Sequence, residues 1–173
     1  MPVTRLNHAV LYVRDAQVSS DFYEQVLEFQ PVSRIPGLGV FLRAPASTND
    51  HDVALFEIGS GAGPSGAGKS TVGLYHLAWE VDTLDELERL RGVLQQHGAL
   101  AGQSDHVTTK SLYAHDPDGL EFEVLWVVPA DRLTPELIDE ARADPRPRPL
   151  DLDGEKARYG GQTRGGVGVS IPV

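Results

Sequence analysis

A strand, a helix and three further strands are spelled out twice along this 173-residue chain, and that repeat restricts its fold more than any other feature. The first copy opens on Leu6-Asn7-His8-Ala9-Val10-Leu11-Tyr12-Val13, a strand by its β-branched and aromatic content. A helix follows, in which Val18, Phe22 and Val26, flanked by Tyr23 and Leu27, form an apolar stripe at helical spacing. Strand-like segments come next near residues 30–34, 40–43 and 53–58. The second copy opens on Gly73-Leu74-Tyr75-His76-Leu77-Ala78-Trp79-Glu80-Val81. Its helix starts at Thr83, with Glu86 three residues on as a capping box. Leu84, Leu87, Leu90, Val93 and Leu94 make its buried face, and Gly98 is a natural stop. Strands near 99–102, 111–114 and 120–127 complete the copy. The pattern predicts an α+β domain over residues 1–128, built from two βαβββ modules at about 4–58 and 73–128.

Beyond that domain the character of the chain changes. Thr134 and Pro135 suit the N-cap and first position of a short helix ending near Arg142. Asp144-Pro145-Arg146-Pro147-Arg148-Pro149 and a glycine-rich end then predict an extended tail through residue 173. No apolar run approaches the roughly 20 residues of a membrane span, and the N-terminus lacks a signal-peptide core. There are no cysteines, which removes disulfides and thiolate metal ligands. A formal net charge of −10 opposes nucleic-acid binding, which needs a basic surface. These features predict a cytoplasmic enzyme for small molecules, with neither nucleic acid nor membrane as partner.

Chemistry concentrates between His106 and Glu123, in HVTTKSLYAHDPDGLEFE. Asp116-Pro117-Asp118-Gly119 reads as a tight turn between two strands. On the second strand Glu121 and Glu123 share one face and Phe122 takes the other. A carboxylate aimed into a sheet's concave side needs a positive partner, and a metal ion is the obvious one. Each copy also carries a histidine at a comparable place on its first strand, His8 and His76. A single strand histidine is ordinarily structural; two at equivalent places, with a carboxylate on the last strand, favour a metal site.

The segment resembles the signature of type I extradiol ring-cleavage dioxygenases, in the vicinal oxygen chelate superfamily that also holds glyoxalase I and the bleomycin and fosfomycin resistance proteins. The matching places are His106, Leu112, Tyr113, Asp116, Pro117, Gly119 and Glu123, while Ser104 is not among the residues usual two before the histidine. The resemblance implies two modules forming a cup-shaped mixed sheet around a metal, frequently as a homodimer. It implies metal ligands His8, His76 and Glu123, a two-histidine, one-carboxylate set that leaves positions on Fe(II) open. Manganese or another divalent ion could take the same ligands. His51, in a His-Asp-Val-Ala segment similar to a strand of catechol 2,3-dioxygenases, and His106 would be the catalytic histidines. Tyr113 would be the hydrogen-bonding tyrosine. The gap from His51 to His76 is longer than the pattern, and that from His106 to Tyr113 sits at its short end.

The implied activity is iron-dependent cleavage of a catecholic ring with dioxygen. Two alternatives stay open: a glyoxalase-like metal-dependent isomerase or lyase, and a binding protein that sequesters a small molecule. Glu57 sustains the first of these, because in a strand running from His51 it shares that histidine's face and would supply a fourth ligand. Parity assigns Tyr12, Phe41, Leu55, Tyr75 and Trp79 to the substrate pocket. Residues 63–70, GPSGAGKS, match the P-loop pattern, but the β-branched and aromatic residues that follow read as a strand where a phosphate site needs a helix. That segment reads as a linker. His97, at a helix C-terminus where an imidazole complements the dipole, reads as ordinary, and His115, beside the turn, reads as a surface residue.

Overall fold

Each copy of the repeat builds its own four-stranded sheet, in the same strand order. The computed structural model describes residues 2–3, 5–67 and 70–166, so Lys69 of the P-loop-like segment and the last residues of the glycine-rich end lie outside the described residues. The chain forms two compact units, residues 1–69 with 116–120, and residues 70–115 with 121–173.

In the first unit, β1 (Ala9–Val13) is followed by α1 (Ala16–Leu27), β2 (Gln30–Ile35), β3 (Gly39–Arg43) and β4 (Val53–Glu57). The sheet order is β1-β4-β3-β2, with β1 parallel to β4 and the other pairs antiparallel. Asp15 caps α1 by accepting from the N–H groups of Gln17 and Val18 at 2.9 and 3.0 Å. The helix buries Ala16, Ser19, Ser20, Tyr23, Val26 and Leu27. This is one step round from the expected stripe, since Val18 is 52% exposed. The small Ser19 and Ser20 let the helix approach its sheet, which the bulkier Val18 would prevent. Under it lie Val13, Val40, Leu42, Val53 and Leu55, all at most 5% exposed. The turn at 116–120 joins this unit: Arg14 Nη1 meets Asp118 Oδ1 at 2.5 Å, and Tyr23 donates to Asp116 Oδ2 at 3.3 Å. Burial pushes both the Tyr23 hydroxyl and the Asp116 carboxyl above their usual ranges. Gly119 exits that turn at φ 80°, as a tight turn needs.

The second unit repeats the topology with β5 (His76–Glu80), α2 (Leu84–Gln96), β6 (Leu100–Asp105), β7 (Thr109–His115) and β8 (Glu121–Val127), in sheet order β5-β8-β7-β6. Even the irregularity recurs: β2 shifts register between Pro31 and Ser33, and β6 between Leu100 and Gly102. Thr83 caps α2 through the Glu86 N–H at 3.2 Å, while the Glu86 carboxylate turns to Arg89 at 2.6 Å. Leu84, Leu87, Leu90 and Leu94 are buried, and Gly98 stops the helix at φ 63°. No helix begins at Ser70; the next after it is α2, so the P-loop reading lacks its helix.

After a 3-10 turn at Ala130–Arg132 come α3 (Pro135–Ala143), capped by Thr134, and α4 (Leu152–Tyr159). The expected extended tail therefore does not run on past α3. Arg148 retains the N–H its proline neighbours lack and pairs with edge strand β6, its N–H and C=O each bonded to Asp105 at 2.9 Å. Leu150, Leu152 and Tyr159 then supply enough apolar surface to dock a helix, and the Tyr159 ring lies 5.5 Å from that of Trp126. No described helix is long and apolar enough to cross a membrane.

Candidate metal centre

Strand register, more than any loop, assembles the polar face of the second sheet. Across β5 and β8, His76 pairs with Glu121 and Ala78 with Glu123; across β7 and β8, Tyr113 pairs with Glu123 and His115 with Glu121. Residues in register share a face. His76, Glu121, Glu123, Tyr113 and His115 thus stand opposite Leu112, Ala114, Phe122 and Val124, which are at most 2% exposed beneath α2. The sequence assigned Glu121 and Glu123 to one face and Phe122 to the other, and the sheet has that arrangement. His76 Nε2 is 3.2 Å from Glu123 Oε2. Its Nδ1 lies 3.7 Å from Glu121 Oε1, beyond hydrogen-bonding reach, and is buried with no partner. His115 is half-exposed, with Nε2 3.6 Å from Glu121 Oε2.

Beside this pair is a hydrogen-bonded trio. His106 Nε2 lies 2.9 Å from the Tyr113 hydroxyl and 2.9 Å from Ser104 Oγ, and Ser104 reaches the same hydroxyl at 3.5 Å. Burial raises the Tyr113 pKa, the Ser104 hydrogen bond opposes that shift, and the Glu123 carboxylate reinforces it. The hydroxyl therefore keeps its proton at neutral pH. Ser104, which is not among the residues usual at its place in the dioxygenase pattern, proves to be a partner of both predicted residues. Tyr75 is a further neighbour: its ring lies 4.8 Å from that of His76, and hydrogen bonding to the Glu121 carboxylate raises its pKa.

The first unit presents a simpler face. His8 precedes β1, with Nδ1 2.8 Å from Asn7 Oδ1, an arrangement that leaves Nε2 available as a donor atom. The His51 ring is 4.5 Å from that of His8 and 5.2 Å, edge-on, from that of Phe41. Asp52 fixes the loop that carries His51, accepting from Ala44 N–H, Ser47 Oγ and Asn49 Nδ2 at 2.7 to 2.8 Å. Glu57 does not share the face of His51. The strand begins only at Val53, so counting parity from His51 fails, and Glu57 accepts from the Ala16 N–H at the start of α1 at 3.3 Å. Leu55 likewise does not face a pocket, being fully buried under α1, and Trp79 falls on the face opposite His76. Tyr12 and Phe41 remain on the open face with Val10, Ala54 and Phe56.

Among the described residues no three His, Asp or Glu side chains are already gathered in a metal-binding group. What the structure brings together is the pair His76–Glu123 in the second unit; His8 belongs to the first. The pair suits a divalent ion. Neighbouring donors held about 2.0–2.2 Å from one ion lie roughly 3 Å apart, close to the 3.2 Å observed. A mixed nitrogen and oxygen set is the choice of iron, manganese or zinc rather than magnesium or calcium.

Residues 5–124 match the model of the glyoxalase/bleomycin resistance protein/dioxygenase superfamily. A catechol-2,3-dioxygenase of Bacillus subtilis (strain 168) is 28% identical over 121 residues, 70% of this chain, which spans only 41% of the length of that relative. Among solved structures, a glyoxylase/bleomycin resistance protein/dioxygenase domain from Frankia sp. EAN1pec aligns with TM-score 0.60 and 22% identity, over 72% of this chain and 92% of its own. A lactoylglutathione lyase from Agrobacterium tumefaciens aligns with TM-score 0.54 and 20% identity, over 72% and 95%. At these identities the two structures speak for the fold alone.

Proposed function

We propose that this chain, which belongs to the glyoxalase/bleomycin resistance protein/dioxygenase superfamily, is an iron(II)-dependent dioxygenase that opens a catecholic ring beside its two hydroxyl groups. The observation that carries this reading is the shared face of the second sheet, where the His76–Glu123 pair stands beside the His106–Tyr113–Ser104 trio. His8, His76 and Glu123 would hold the ion. Iron(II), when bound, supplies open coordination positions where a catechol and dioxygen meet. Tyr113, protonated at neutral pH, donates to a substrate oxygen and orients the ring. His106, hydrogen-bonded to Tyr113, takes up a catechol proton and returns it during cleavage. His51 is the second proton-handling group, and Phe41 and Tyr12 offer apolar surface to the ring.

A glyoxalase-like isomerase would draw on a fourth ligating carboxylate. Glu57 is engaged at the start of α1, and the register equivalent of Glu123 in the first sheet is Ala54, which cannot ligate. The donor set therefore favours the dioxygenase. The test is anaerobic reconstitution with iron(II), followed by oxygen uptake with a panel of catechols. The expected result is one dioxygen consumed per ring opened. Protein that takes up no oxygen with any catechol, yet isomerises a hemithioacetal, would overturn the reading in favour of the glyoxalase class.

A further inference from the structure

The loop joining β6 to β7 holds Val107 at φ 68°. A β-branched residue in the left-handed region is a backbone outlier that persists only where its surroundings impose it. Val107 directly follows His106, so whatever imposes its conformation also sets the peptide that carries the imidazole. Both backbone polar groups of Val107 are tied. Its N–H donates to Asp105 Oδ1 at 2.7 Å, and its carbonyl accepts from Lys110 Nζ at 3.1 Å.

Lys110 is itself held on two sides. Its ammonium donates to Asp105 Oδ1 at 2.5 Å and meets Glu155 Oε2, on α4, at 2.9 Å, an ion contact outside hydrogen-bond alignment. With its side chain only 1% exposed, the ammonium has these carboxylates in place of water. Lys110 shares the helix-covered face of β7 with Leu112 and Ala114, whereas Tyr113 projects from the other face. The ion cluster and the His106–Tyr113–Ser104 trio thus lie on opposite sides of one sheet, joined by the Val107 turn.

We propose that Asp105, Lys110 and Glu155 form a positioning device for His106. Helix α4 closes the cluster, the cluster holds Val107 in the left-handed region, and that turn keeps His106 Nε2 on Tyr113 and Ser104. Released, the valine relaxes to a negative φ and rotates the peptide that bears His106. The C-terminal segment, outside the stretch that matches the superfamily, then acts on the site without touching substrate. The effect on turnover rests on the dioxygenase reading; the effect on His106 geometry does not.

The test is Glu155→Gln, which leaves Lys110 paired with Asp105, read by the ¹⁵N and ¹³C resonances of the His106 ring in the full chain. The variant is expected to move those resonances and lower Tm while binding iron as the wild type does. Oxygen uptake with catechol should show kcat falling roughly tenfold or more, the scale of a displaced catalytic group, with KM nearly unchanged. Adding Val107→Gly should return the resonances and kcat to wild-type values, because glycine adopts a positive φ without a clamp. Tm should stay lowered, since the ion contact is still missing. A lowered Tm with unmoved resonances makes the cluster purely structural and overturns the proposal. Moved resonances that Val107→Gly fails to restore overturn it too, as does a double variant that cannot fold. Wild-type protein without oxygen uptake removes the dioxygenase reading but leaves the resonance test standing.

Discussion

The open faces of the two sheets share a backbone plan and differ in what they carry. Register aligns Val10 with Ala54 in the first sheet and Ala78 with Glu123 in the second. Around Ala54 lie Tyr12, Phe41 and Phe56; around Glu123 lie His76, Glu121 and Tyr113. One copy thus offers apolar and aromatic surface with two histidines at its margin, and the other offers charge and hydrogen-bonding groups. The difference teaches that a repeated module can keep its cap, its bulge and its strand order while a few face positions divide the labour. Those positions follow the two-residue period of a strand, so a change at one leaves the helix-covered core untouched.

Six substitutions press on that contrast. Glu123→Ala should abolish iron binding and activity together, because the ligand must be an anion. Glu121→Ala, on the same face, should keep the metal, and comparable loss from both by metal analysis would mean the wrong carboxylate was chosen. On the covered side, Leu55→Ala should destabilise the fold by about 2–5 kcal/mol in chemical denaturation, as for other fully buried leucines. A destabilisation under about 1 kcal/mol with altered catechol KM would return Leu55 to the pocket. His106→Ala and Tyr113→Phe should each retain iron yet slow ring cleavage by roughly a hundredfold, the scale of lost acid–base or electrostatic help. Loss of iron from either would make it a ligand instead. Glu57→Gln should be the mildest, costing about 0.3–1 kcal/mol at the start of α1 with metal content unchanged. Weaker iron retention there would revive the four-ligand reading.

Much of this was legible in the sequence, for identifiable reasons. Thr83 and Thr134 cap helices with their own side chains, and Gly98 and Gly119 occupy positions that need positive φ, so local chemistry marked these boundaries. The grouping of Glu121 with Glu123 needed only strand parity. Parity failed for Glu57 and Leu55 because it was counted from His51, whereas the Asp52-centred loop delays the strand to Val53. The slip at Val18 came from reading apolar residues alone, when the close contact of α1 with its sheet is made by Ser19 and Ser20. Helix α4 was hidden behind a proline run, since the three apolar residues that dock it are scattered over Leu150, Leu152 and Tyr159. The clamp on Val107 left no local signal: Glu155 is 45 residues along the chain from Lys110, and only the folded second unit joins them.

The proposed chemistry requires one ion held by His8, His76 and Glu123, and the ligand set of iron-reconstituted protein tests that proposal most directly. Anomalous scattering at the iron edge, from crystals grown without oxygen, should place a single iron bound by His8, His76 and Glu123, each within about 2.0–2.3 Å, with the remaining positions open to solvent. Iron that lacks His8, that takes a fourth carboxylate from the protein, or that binds away from the His76–Glu123 pair would contradict it.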